Sequence, residues 1–176
     1  GLSCNLFAFE EGGMRSFILS PIDRRKILLG KNIAVTIIAA LFSMALLLVN
    51  GIVFHDLSPA TLIFAALSFV IFSSLVAIIG NWFSITFPKR MEFGKRLNVS
   101  GVAGLLLIPM VLALGIPPFF ATLAGYLAES VLVQFLVLGV FALLSLGLYV
   151  LILDFQGRSL ERREISILES VKEPTD

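Results

Sequence analysis

Long uncharged apolar runs, separated by short polar or charged segments, set the organisation of this chain. Residues 33–54, 60–87, 102–127 and 131–153 contain no Asp, Glu, Lys, Arg or His. At 1.5 Å of rise per residue, each run is long enough to cross a hydrocarbon core of about 30 Å. Helices in soluble cores rarely stay uncharged over such lengths, so the pattern predicts an all-α membrane protein with about four transmembrane helices. The third run is interrupted by Pro109 and by Pro117-Pro118. The Pro pair removes two backbone donors and disfavours helix at the residue before it, Ile116. From 102 to 116 the chain covers about 22 Å as helix, short of the full core. The sequence therefore predicts a break near 117–118, close to the outer leaflet, with 119–126 forming a short re-entrant or interfacial helix.

The cations fix an orientation. The 13 Lys and Arg residues fall in three groups. Arg15, Arg24, Arg25, Lys26 and Lys31 precede the first run. Lys89, Arg90, Lys95 and Arg96 lie between the second and third. Arg158, Arg162, Arg163 and Lys172 follow the fourth. The turns around Asp56 and Glu129 contain no cation. Four spans put both termini and the middle loop on one side, and the positive-inside rule makes that side the cytoplasm. The resulting division is a cytoplasmic or interfacial segment at 1–31, a transmembrane domain at 32–155 and a cytoplasmic tail at 156–176. In the tail, Leu160, Ile167, Leu168 and Val171 stand near helical spacing, which predicts a short amphipathic C-terminal helix.

Composition narrows the chemistry. The 176 residues are 58% hydrophobic and 14% charged, far from the roughly 25% charged of a soluble domain. A net charge of +1 speaks for neither nucleic acid nor an acidic substrate. One cysteine, Cys4, and one histidine, His55, allow no internal disulfide and no zinc site of ordinary ligand count. No metal or cofactor is expected. The spans hold neither the buried carboxylates of ion-coupled carriers nor a Ser-His or Asp pair for intramembrane hydrolysis. Asn50, Ser73, Asn81 and Gln134 are the candidate polar positions for helix packing or for a pathway. Ser73, Ala77 and Asn81 form a stripe at spacing four that lets another helix approach. Trp82, Phe83 and Phe87 read as an interfacial aromatic belt.

The most specific stretch is 12–32. Ser20, Pro21 and Asp23 together read as a helix start: a capping hydroxyl, a proline at the first helical position and an acid in the first turn. Phe17, Ile18 and Leu19 form an apolar patch beside Arg15, suited to the membrane surface or to a partner. The run 16–32, with Leu19, Ser20, Pro21, Ile22, Arg24, Ile27, Leu28, Gly30 and Lys31 at its key positions, resembles the cytoplasmic segment of ABC-2 type permeases. The Gly-Asn-x-x-Ser-Ile-x-Phe-Pro-x-Arg run at 80–90 is similar to the next cytoplasmic boundary of a bacterial branch of that family.

This resemblance implies the membrane subunit of an ATP-driven exporter in a bacterial inner (plasma) membrane. Phe17, Ile18, Leu19, Ser20, Pro21, Arg24 and Arg25 would then form the segment that couples to the ATPase. Neither Gly30-Lys31 nor Gly94-Lys95 sits in a phosphate-binding Gly-x-x-x-x-Gly-Lys-Ser/Thr pattern, so the ATPase is expected on a separate subunit, and no enzyme activity here. Permeases of this family commonly have six spans, so further N-terminal spans, or a second permease copy, are expected as partners beside membrane lipid. The alternative reading is an integral membrane scaffold or anchor without transport activity.

Overall fold

The computed structural model describes residues 22–55, 57–86, 112 and 114–171, apart from the side chains at 166 and 168–171. The described residues form four helices, α1 (Arg24–Phe54), α2 (Pro59–Thr86), α3 (Ile116–Leu127) and α4 (Val131–Val171). α1, α2 and α4 are each long and apolar enough to cross a membrane. The protein is thus an all-helical membrane protein.

The first helix starts later than Ser20 predicts. Ile22 and Asp23 are non-helical, and Asp23 is the N-cap, accepting the Arg25 backbone N–H at 2.9 Å. Its carboxylate satisfies an orphan donor and meets the positive end of the helix dipole, so it caps where a first-turn acid was expected. Ser20 and Pro21 lie outside the described residues. α1 ends at His55 in the left-handed region (φ 54°), and α2 begins at once. There Ser58 Oγ accepts the Thr61 N–H at 3.1 Å, with Pro59 opening the helix. Serine before proline at a helix start serves both needs: a side-chain acceptor for an orphan N–H, and a ring where no N–H is required.

α2 and α4 form the central pair. Ile71, Leu138 and Ala142 share one buried cluster, while Leu28, Ile85, Leu153 and Leu160 share another further along. The clusters follow the same order on both helices, so α2 and α4 run parallel. A parallel pair requires the chain to return between Thr86 and Val131. α3 is 12 residues, about 18 Å, and makes part of that return. The rest of the expected span at 102–127 lies mostly outside the described residues.

α3 packs antiparallel to α4 through the short connection 128–130. Ala121 is fully buried in the Ile71 and Leu138 cluster, and a Cβ on Gly125 would lie 2.6 Å from Gln134 Cβ. The connection closes as a Schellman motif: Ser130 N–H bonds to Gly125 O at 3.0 Å, Glu129 N–H bonds to Tyr126 O at 3.2 Å, and Glu129 takes φ 48°.

Gly115, in the αR region (φ −75°, ψ −15°), is the N-cap of α3, and Ile116 is its first residue, contrary to the expectation that Ile116 leaves the α region. Pro117 and Pro118 are accommodated because the first helical turn has no intrahelical acceptors for their missing N–H groups. Phe119 N–H then bonds to Gly115 O at 3.2 Å and carries the helix on. Since Ala121 is buried between α2 and α4, this helix is packed into the bundle along one side. Phe119, Phe120, Tyr126 and Leu127 point outward.

α4 is one uninterrupted helix of 41 residues, about 61 Å, twice the thickness of a hydrocarbon core. The short C-terminal helix expected in the tail is its continuation. Leu153, Leu160 and Ile167 recur every seven residues and are each no more than 2% exposed. That seam keeps one face covered past Asp154, and no proline falls between 131 and 171 to stop the helix.

Candidate functional site

Two structural features converge where α1, α2 and α4 meet: a polar clamp at the cation-bearing end and a cleft that opens beyond it. The clamp begins with charge. Arg24 Nε donates to Glu164 Oε2 at 2.8 Å, with the two side chains 14% and 19% exposed. Arg25 Nη1 meets Asp154 Oδ1 at 2.7 Å in a more open pair. Gly157 lies beneath this turn: a Cβ there would be 3.0 Å from the Arg25 backbone nitrogen. A glycine is needed for α1 to approach α4 so closely.

A neutral network lies deeper. Asn81 Nδ2 donates to Gln156 Oε1 at 2.8 Å, and Gln156 Nε2 donates to the Ile78 carbonyl at 2.8 Å. Asn81 is fully buried and Gln156 is 4% exposed. The Ile78 carbonyl fixes the orientation of both amides, because flipping the pair would set Gln156 Oε1 against another oxygen. Asn81 Oδ1 has no partner and is enclosed. One turn of α1 beyond Leu28, Asn32 Nδ2 donates to Tyr149 Oη at 3.1 Å.

Beyond Asn32, α1 leaves its neighbours. Its buried residues are Ile27, Leu28 and Asn32 near one end and Gly51, under Leu57, at the other. Between them Ile37, Ile38, Leu41, Phe42 and Met44 are 45–70% exposed. The divergence opens a cleft with two lobes of about 240 and 220 Å³. Asn32, Thr36, Ser73 and Ala77 line both lobes. Phe69, Phe72 and Val76 wall one lobe, while Leu29, Leu146 and Tyr149 wall the other. Among the described residues no Asp, Glu, Lys, Arg or His lines either. The cleft can therefore hold an apolar body and hydrogen-bond it through neutral groups, without charge recognition. Among the described residues no group of three His, Cys, Asp or Glu side chains could hold a metal ion.

The candidate residues from sequence separate clearly. Phe17, Ile18, Leu19, Ser20 and Pro21 lie outside the described residues. Arg24 and Arg25 are in the clamp, bound to α4 of the same chain. Asn81 is in the amide network, and Ser73 is in the cleft wall with its hydroxyl on the Val70 carbonyl at 3.1 Å. Asn50 is exposed near the far end of α1, and Gln134 packs on Gly125 at the start of α4, so neither reaches the cleft. In the aromatic belt Trp82 is 40% exposed, but Phe83 is only 2% exposed and meets Trp82 edge to face. Successive helical residues point about 100° apart, so both could not face the headgroups. Phe87 lies outside the described residues.

Asn32, Thr36, Tyr149 and Gln156 escaped sequence reasoning. Asn32 was visible as a polar residue one turn inside an apolar run, and Gln156 as an uncharged one amid the charges that follow Leu153. Compared with models of protein families, with curated proteins and with solved structures, the chain finds no match.

Proposed function

We propose that this chain is a membrane-spanning permease segment of an ABC-2 type ATP-driven exporter, acted on by a separate ATPase subunit through the segment ahead of α1. The observation that carries the reading is the clamp. The first turn of α1 is tied to α4 by two ion pairs and a close backbone approach, while the middle of α1 stands free. A push on the residues before Asp23 therefore reaches α1 and α4 together at one end and changes their separation at the other. The resemblance of 16–32 to the family's coupling segment supplies the direction of that push. ATP hydrolysis belongs to the partner, and the exposed apolar face of α1 at Ile38, Leu41 and Ile52, away from the cleft, is the surface for a second permease copy or for further spans. The cation-bearing end faces the cytoplasm of a bacterial inner membrane.

The test is purification of the tagged full-length protein from its native membrane. The expected result is a stoichiometric ATP-hydrolysing subunit that is lost from Phe17→Asp/Ile18→Asp protein while insertion persists. Recovery of other proteins without ATPase activity would support the scaffold reading instead. Orientation is read separately: cysteines at Ser58 and Glu129 should label from outside with an impermeant reagent, and one at Arg163 should not.

A further inference from the structure

We infer that the cleft between α1 and the α2–α4 pair is a binding site for an uncharged single-chain amphiphile, an acyl ester that enters from the bilayer. Three observations select this occupant. First, the cleft is open to lipid: Ile33 and Ile37 on its rim are 50% and 55% exposed on a membrane-crossing helix. Second, its polar groups are neutral, and Asn32, Thr36, Ser73 and Tyr149 share one end, with Ser43 further along α1. Tyr149 Oη accepts from Asn32, which leaves the phenolic proton to donate, and Thr36 lines both lobes beside them. An ester carbonyl satisfies such donors, whereas a phosphate or carboxylate would enter a low-dielectric site with no cation among the described lining residues to offset its desolvation. Third, Ala39, Phe69 and Phe72 continue from this polar end as an apolar wall.

Depth agrees with the assignment. Asn32 directly follows Lys31, the last cation before the uncharged run at 33–54, so the donors sit at the hydrocarbon boundary where ester groups reside. Each lobe is smaller than the roughly 300–1,000 Å³ common for drug-sized ligands, which favours one chain over two. The inference does not depend on the transport reading.

The experiment uses the full-length protein in lipid nanodiscs with three photoreactive probes of equal chain length: a diazirine monoacylglycerol, a diazirine alkane and a diazirine fatty acid at a pH where it is ionised. Labelled peptides are mapped by mass spectrometry. The monoacylglycerol should label 29–43 and 69–77 saturably and be competed by unlabelled monoacylglycerol. Thr36→Val should weaken its half-saturation roughly tenfold, the ratio expected for one lost hydrogen bond of ordinary strength. Ala39→Trp, which fills the cleft from an exposed position and needs no core repacking, should abolish that labelling while leaving alkane labelling of α3 unchanged. Equal saturable labelling by the alkane or the fatty acid overturns the assignment, as does labelling that survives Ala39→Trp. Because no ATPase is present, a negative result here leaves the permease reading standing, and loss of the ATPase partner leaves the cleft assignment standing.

Discussion

Asn81 and Gln156 lie 75 positions apart and meet through a 2.8 Å hydrogen bond in an enclosed site between α2 and α4. In a membrane, helices gain nothing from leaving lipid for one another, and bonds of this kind contribute to association by about 0.6 kcal/mol on average and up to about 1.7. Here the second amide bond, from Gln156 to the Ile78 carbonyl, places the contact in one register along both helices. Gln156→Met strands the Asn81 amide and should cost about 1–3 kcal/mol. Asn81→Leu should cost less, since Gln156 keeps Ile78. The double variant should lose less than the sum of the two, because no buried amide remains unpaired. Reversible unfolding titrations in mixed micelles read all three, and strict additivity would show the bond to be energetically silent.

The two ion pairs of the clamp should differ. Arg24 and Glu164 are largely enclosed, whereas Arg25 and Asp154 are 42% and 50% exposed. Glu164→Gln leaves a guanidinium short of its partner in a poorly hydrated place and should destabilise by more than about 1 kcal/mol. Asp154→Asn should fall within about 0–1 kcal/mol and shrink further in high salt. Comparing both variants at low and high ionic strength checks the ranking.

Glycines on α4 offer an internal control. At Gly139 and Gly147 an added Cβ meets nothing within 4 Å, so alanine should be neutral or stabilise by up to about 1 kcal/mol through helix propensity. At Gly157 the same Cβ would press on the Arg25 backbone, and α1 must move. Gly157→Ala should therefore lose about 1–3 kcal/mol of packing, outweighing the propensity gain. A disulfide trap between α1 and α4 near the clamp should also close more slowly in that variant.

Glu129 and His55 are the described non-glycine residues with positive φ, 48° and 54°, and each ends a helix. Glycine relieves the steric cost of the left-handed conformation, so Glu129→Gly and His55→Gly should each stabilise by up to about 1–2 kcal/mol. Both residues are exposed, so no packing is lost. Thermal melts in detergent would record the gain.

What could be read from the sequence follows from what hydropathy and charge encode. The runs at 33–54 and 131–153, and the second run as far as Thr86, each fall inside one long helix, because uncharged length is the property that lipid selects. Local backbone rules did less well. At the start of α1 Ser20 and Asp23 both carry a capping oxygen, and Asp23 is the cap, a competition settled by geometry that composition does not rank. The N-cap of α3, Gly115, precedes the Pro pair, since prolines are tolerated in the first turn of a helix as well as after its end. The clamp was least legible. Asn32 with Tyr149 and Asn81 with Gln156 are pairings across 117 and 75 positions, and no spacing rule along one helix announces a partner on another. Arg24 and Arg25 were visible as cations, but their carboxylate partners on α4 emerge only once the helix continues unbroken past Asp154.

The continuity of α4 makes it a push-rod. It is seated against α2 at Leu138 and Ala142, meets α1 at Tyr149 and is clasped by Arg24 at Glu164, a stretch of about 39 Å. A rod held at both ends of such a stretch does not tilt about one point. A load at the Val171 tip is carried along the axis, and α3, joined to the far end by three residues, shares the shift.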